Sequence, residues 1–181
     1  GVTLVHEHVL VDFVGAEKVS RSRYDADLAF RAILPRLQEL RKQGVLTLFE
    51  CTPAYLGRDP LLLRRLSEAS GLRIVTNTGY YGAAKDQYVP RHAHDESAGQ
   101  LAERWVREWQ EGIEGTGVRP GFIKTGVDAG ALSAIDRKLV EAAARTHART
   151  GLTIASHTGD TRAAMEQLDV LAREGVEPDA F

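Results

Sequence analysis

Three histidines and one lysine, each at or near the end of a short apolar run, are the residues best suited to chemistry. His6-Glu7-His8 follows the run Val2–Val5. Side chains alternate across a strand, so His6 and His8 point the same way, about 7 Å apart along it. Two neutral imidazoles so placed can share a divalent metal ion; the competing reading is a pair of loop histidines that hydrogen-bond or meet solvent, and spacing alone leaves the two level. Lys124 lies near the end of the run Gly121–Thr125, where an ammonium ion is costly to bury. Burial lowers a lysine's pKa, and a neutral amine adds carbon dioxide to give a carbamate, whose two anionic oxygens can bridge two cations. On the residues alone, a lysine paired with Asp128 or reaching solvent is the simpler expectation. His157, in Ile154-Ala155-Ser156-His157-Thr158-Gly159-Asp160, is a third polar strand end.

The elements that must position these groups alternate between two periods. Short apolar runs predict strands at Val2–Val5, Val45–Phe49, Arg73–Asn77, Gly121–Thr125 and Leu152–Ser156, all short enough to be buried on both faces. Helical spacing fills the intervals. Phe30, Ile33, Leu37 and Leu40 share a face of the first helix, where Pro35 should kink it or mark a first turn. A short helix is expected around Leu62–Ala69. Leu101, Trp105, Trp109 and Ile113 step by four in the next, read as packing and not as a stacking platform. Ile135, Leu139, Ala142 and Ala143 outline another, and Ala164, Leu168, Leu171 and Ala172 the last. Gly44, Gly71, Gly151 and Gly175 each stand between a helix and the next apolar residue, where a left-handed residue suits glycine.

Five βα units in a row make the class α/β with a parallel sheet, in a single domain over 1–181. Periodicity does not separate a doubly wound open sheet from the first five units of a (β/α)8 barrel. No phosphate-binding glycine loop follows a strand: Gly115-Thr116-Gly117 precedes one. The polar strand ends favour the barrel, since three strands far apart in sequence can aim at one point only if the sheet curls. Charge is nearly balanced, with a formal net of −2, which gives no electrostatic reason to expect nucleic acid as a partner. No apolar run approaches the ~20 residues of a membrane helix. One cysteine, Cys51, excludes an internal disulfide and fits a reducing, cytoplasmic setting.

At this point the chain resembles a known family. Gly1-Val2-Thr3-Leu4-Val5-His6-Glu7-His8 looks like the N-terminal signature of the phosphotriesterase family within the amidohydrolase superfamily. The likeness continues through Gly57-Arg58-Asp59, Thr78-Gly79-Tyr80-Tyr81, Gly112–Gly117, Gly121-Phe122-Ile123-Lys124 and Ser156-His157-Thr158. The resemblance implies a TIM-type (β/α)8 barrel with two divalent metal ions, most often zinc. His6 and His8 would bind the more buried metal, Lys124 as its carbamate would bridge both, and His157 would bind the more exposed one. A bridging hydroxide would attack phosphorus or a carbonyl carbon of a small-molecule phosphotriester, lactone or other ester. Tyr81 resembles a substrate-pocket tyrosine of the lactonase-like branch. The family draws a further histidine and an aspartate from later strands, so four of the six expected ligands are here.

The sequence therefore reads as the N-terminal portion of a metal-dependent hydrolase, and as a piece of something longer. The alternative is a catalytically silent half-barrel acting as a binding or association scaffold, a homodimer included. Uncovered barrel interior and unclosed sheet edges predict poor solubility or association for such a piece. Weaker signals complete the reading. His92-Ala93-His94-Asp95 is expected in a mobile loop over the barrel mouth. His147 is expected to pack on its helix, and Cys51 to be a buried inert thiol. Glu50 could orient a histidine, but a structural ion pair is the favoured expectation. Glu7 points away from the two histidines.

Overall fold

A computed structural model describes all of residues 1–181. Its strands are β1 (Val2–Glu7), β2 (Val45–Glu50), β3 (Arg73–Val75), β4 (Asn77–Thr78), β5 (Phe122–Val127) and β6 (Ile154–Thr158). Its helices are α1 (Ala26–Lys42), α2 (Pro60–Ser70), α3 (Arg91–Asp95), α4 (Ala98–Glu111), α5 (Ala134–Thr150) and α6 (Thr161–Arg173). All pairings are parallel, and neighbours follow one another in sequence: β1-β2-β3 form one sheet and β4-β5-β6 a second. A doubly wound sheet reverses its order at a switch point; no reversal occurs here. No helix is long and apolar enough to cross a membrane.

The third expected strand, Arg73–Asn77, is divided at Thr76. Arg73–Val75 pairs with β2, while Asn77 and Thr78 pair with Phe122 and Ile123 of β5. The Asn77 side chain explains how the division is tolerated. Its amide donates to the carbonyls of Glu50 (2.9 Å) and Thr52 (3.1 Å), so a side chain joins the end of the first sheet to the start of the second. The cores divide in the same way. Leu37, Val45, Leu48, Leu62, Leu66 and Leu72 pack between α1, α2 and β2, and Leu101, Trp105, Ile123, Leu139, Ile154 and Leu171 centre the larger cluster.

Local chemistry starts and stops the helices. The Asp25 and Asp59 carboxylates each accept two backbone N–H groups at the first turns of α1 and α2, and Pro60 occupies a first-turn position that needs no N–H. Ser97 with Gln100 and Ser133 with Asp136 form reciprocal capping boxes on α4 and α5. Gly71 and Gly151 end α2 and α5 in the left-handed conformation, as the spacing predicted. Three expectations need correction. Pro35 lies well inside α1 and so marks no first turn. Ile113 does not extend α4 but sits in a separate one-turn 3-10 helix, Ile113–Gly115, beyond Gly112. The His92 segment is the short helix α3, not a loop: Lys138 donates to the carbonyls of Ala93 and His94 at its end.

Candidate metal centre

β1 delivers the histidine pair through an irregularity. Leu4 faces Leu48 but Glu7 faces Glu50, so β1 carries one residue more than β2 over this stretch. Such a bulge re-aims side chains, and here His6 lies within it, with His8 just past the strand end. The two Nε2 atoms stand 3.3 Å apart. Two nitrogens bound to one zinc ion at ordinary Zn–N lengths and a tetrahedral angle lie about 3.3 Å apart, so the pair already has the separation one metal ion requires. Burial is the main cause that lowers both imidazole pKa values. The Lys124 and His157 charges depress His6 further, and those of His6, Lys124 and His157 depress His8. The shift favours the neutral ring, the form that binds metal.

β2 orients His8 from behind. His8 Nδ1 is 2.9 Å from Thr52 Oγ1, and the Thr52 hydroxyl donates a short hydrogen bond to Glu50 Oε1. Glu50 Oε1 also accepts from the N–H groups of Val9 (3.2 Å) and Thr52 (3.3 Å). Because the threonine proton is committed to the carboxylate, His8 Nδ1 must be the donor in its own bond, which leaves the Nε2 lone pair free. Glu50 is 1% exposed, and burial pushes its carboxyl up to about 7. The ion pair favoured for Glu50 does not exist; the carboxylate acts through Thr52, a residue the sequence reading missed. The available signal was Glu50-Cys51-Thr52, whose first and third side chains share a face by strand alternation.

Lys124 is 3% exposed and takes part in no ion pair. Asp128, its expected partner, instead accepts from the N–H groups of Ala84 and Lys85. Burial lowers the Lys124 pKa, and Cys51 opposes that shift. Cys51 itself is buried with its thiol pKa raised, as befits an inert thiol. A desolvated lysine without a carboxylate partner gives up its proton more readily than one in water.

Strand β6 sets His157 in line with this group. Lys124 is in register with Ala155, and Gly126 with His157. Gly126 has no side chain, and the Tyr81 ring occupies that space: a Cβ on Gly126 would lie 2.6 Å from it. Tyr81 stands 5.4 Å from the His157 ring, centroid to centroid. Lys124 and His157 act electrostatically on both His6 and His8, and Tyr81 stands beside His157, while no three His, Cys, Asp or Glu side chains converge closely enough to hold a metal ion. Two of the three remaining histidines are engaged elsewhere. His92 Nε2 meets the Tyr80 hydroxyl at 3.1 Å, and His147 Nδ1 donates to the Leu152 carbonyl. Trp105 is buried and Trp109 packs against the larger core. A cavity of about 740 Å³ lies apart from the four ligands, between the segment after β1 and α4, with Tyr24, Tyr55, Arg58 and Tyr80 in its wall.

Comparison with known proteins fits this arrangement. A model described as the phosphotriesterase family matches residues 1–179. The chain is 32% identical over 178 residues to a phosphotriesterase homology protein of Escherichia coli, covering 98% of this chain and 59% of that protein. It is 28% identical to an aryldialkylphosphatase of Saccharolobus solfataricus, over 98% of this chain and 56% of that one. It is also 28% identical to the human N-acetyltaurine hydrolase, over 81% of this chain and 41% of that one. The crystal structure of the Escherichia coli protein, complexed with phosphate in its active site, superposes with a TM-score of 0.85, covering 97% of this chain and 59% of that one. The chain therefore spans under two thirds of the length of these relatives.

Proposed function

The chain belongs to the phosphotriesterase family, and from that premise we propose that the whole protein is a metal-dependent hydrolase of phosphotriester, lactone or related ester bonds. In this reading residues 1–181 are the first five units of a (β/α)8 barrel, and the sequential strand order supports it. The observation that carries the reading is Lys124, a buried lysine in no ion pair, together with two histidines whose Nε2 atoms lie 3.3 Å apart.

His6 and His8 would hold the more buried ion, with the Glu50–Thr52 relay keeping the His8 Nε2 lone pair free for it. Lys124, as the carbamate formed when its free amine adds carbon dioxide and releases one proton, would supply anionic oxygen to the metals. His157 would hold the more exposed ion, and Tyr81 would line the substrate's approach. In the whole protein a further histidine and an aspartate complete the set. When bound, a pair of divalent metals, zinc in the simplest case, supplies a nucleophile near neutral pH and polarises the oxygen of the bond under attack. The single free cysteine suits a cytoplasmic location for this enzyme.

The test is metal content by elemental analysis, after purification of the full-length protein with zinc and bicarbonate, with turnover assayed on an aryl ester, a lactone and a phosphotriester. About two ions per chain are expected. Lys124→Ala should lose metal and activity together, and a short carboxylic acid should partly restore the variant. Full metal occupancy in Lys124→Ala would overturn the bridging role. A second reading, a silent scaffold that acts by association, is favoured by one feature: β1 is paired on one side only and leaves Val5 72% exposed. It expects residues 1–181 to self-associate in sedimentation and to take up less than one ion per chain.

A further inference from the structure

Asp128 lies four residues beyond Lys124, yet its carboxylate is turned to a different task. Its Oδ1 accepts from Ala84 N–H and its Oδ2 from Lys85 N–H, both at 2.8 Å. Ala84, Lys85 and Asp86 have φ of 62°, 57° and 60°. Residues with side chains visit the left-handed region rarely, and then singly. Three in succession need a hold from outside, and here one carboxylate takes both amides at the centre of the turn. The turn is also tied at its start, where Gly82 N–H donates to the Gly126 carbonyl (2.9 Å) and Asp86 N–H closes back on the Gly82 carbonyl (3.1 Å). Tyr81 makes an isolated parallel bridge to Gly126.

The turn separates two aromatic residues whose rings it brings together. Tyr81 and Tyr88 stand 6.0 Å apart. Tyr81 is 5.4 Å from the His157 ring, and Tyr88 is 5.9 Å from Phe13, which is 67% exposed. A row of rings therefore runs from a candidate metal ligand out to the surface, and the turn sets its spacing.

We propose that Asp128 is a positioning residue for substrate selection: by fixing the turn at 84–86 it holds Tyr81 against His157 and Tyr88 behind Tyr81, forming a wall that favours a flat or apolar substituent. The proposal rests on the hydrolase reading above and adds the residue that shapes its pocket. Asp128 touches neither metal nor substrate; it acts through Tyr81 and Tyr88.

The experiment compares Asp128→Ala, Asp128→Asn, Tyr81→Ala and the Asp128→Ala/Tyr81→Ala pair in the full-length, metal-loaded protein. The substrates are a phenyl and a methyl ester of one acid. Asp128→Ala should raise KM for the phenyl ester about tenfold while metal content and methyl-ester turnover hold steady. Asp128→Asn, which keeps one acceptor oxygen, should fall between it and wild type. In the Tyr81→Ala background the Asp128 change should cost nothing further, the mark of two residues acting as one. Amide hydrogen exchange of Ala84 and Lys85 in the metal-free protein gives a readout independent of turnover, and should quicken at least about tenfold in Asp128→Ala. Equal losses on both esters, additivity with Tyr81→Ala, or unchanged exchange each overturn the proposal. A wild-type protein that takes up no metal and turns over no substrate would instead sink the hydrolase reading, and with it the selective role, while exchange would still show whether Asp128 holds the turn.

Discussion

Replacing Thr52 with valine tests whether the candidate metal centre is built from behind as described. The swap keeps the shape of a fully buried side chain and removes one hydroxyl. That hydroxyl both accepts from His8 Nδ1 and donates to Glu50. Without it, either His8 tautomer becomes available and the ring is no longer held. Loss of such an orienting partner typically weakens metal binding about 10–100-fold, which corresponds to roughly 1.4–2.7 kcal/mol. The metal-free protein should also lose about 1.5–3 kcal/mol, because the lost bond goes to a buried carboxylate, although Glu50 keeps the N–H groups of Val9 and Thr52. Zinc affinity would be measured by competition with a chromophoric chelator, and stability by urea unfolding of the metal-free protein. Thr52→Ser, which retains the hydroxyl, should bind zinc like wild type. If Thr52→Val is destabilised but binds zinc with unchanged affinity, the relay to His8 is wrong and Thr52 only supports the fold.

Two further perturbations follow from the buried charges. Glu50 holds its proton more tightly when folded, at about 7 against an ordinary 4.5, so its contribution to stability is complete below about pH 4.5 and is lost as pH rises through 7. That loss is about 3 kcal/mol; the metal-free wild type should fall relative to Glu50→Gln over this window in urea titrations, and parallel curves would contradict the assignment. Arg58, with its side chain 1% exposed, forks onto Glu108 at 2.7 and 3.0 Å and donates to the Asn77 carbonyl. Arg58→Met should cost about 3 kcal/mol by stranding its partners, and the double change with Glu108→Met should recover much of that; a double variant as unstable as the sum of the single ones would refute the pairing.

Much of this was legible in the sequence, for identifiable reasons. Strand–helix alternation and the glycine joints depend on local chemistry, so Gly71 and Gly151 could be placed as helix ends before any coordinates. His6, His8, Lys124 and His157 stood out as candidates because each lies at or near the end of an apolar run that has no reason to end in a polar group. What could not be read depends on partners distant in the chain. The division at Thr76 rests on the Asn77 amide reaching Glu50 and Thr52, and no periodicity encodes that. Asp128 looked like the natural partner of Lys124 because they lie close in sequence, whereas its carboxylate is engaged by the amides of residues 84 and 85. The His92 segment looked like loop because its helix is a single short turn, held at its end by Lys138 of α5.

The sequential strand order has a consequence for how the protein is made. Each pairing in the sheets joins neighbours in the chain, so each closes a loop only one βα unit long, at modest entropic cost. The sheets can therefore extend unit by unit as residues leave the ribosome, without waiting for distant partners. The candidate ligands obey the opposite rule. His6 belongs to β1 and His8 lies just past it, whereas Lys124 belongs to β5 and His157 to β6. A nascent chain that has finished α4 already has its first sheet but only two of the four candidate donors. Under the proposed function, metal uptake would be a late event in biogenesis, one that marks chains in which every intervening unit has taken its place.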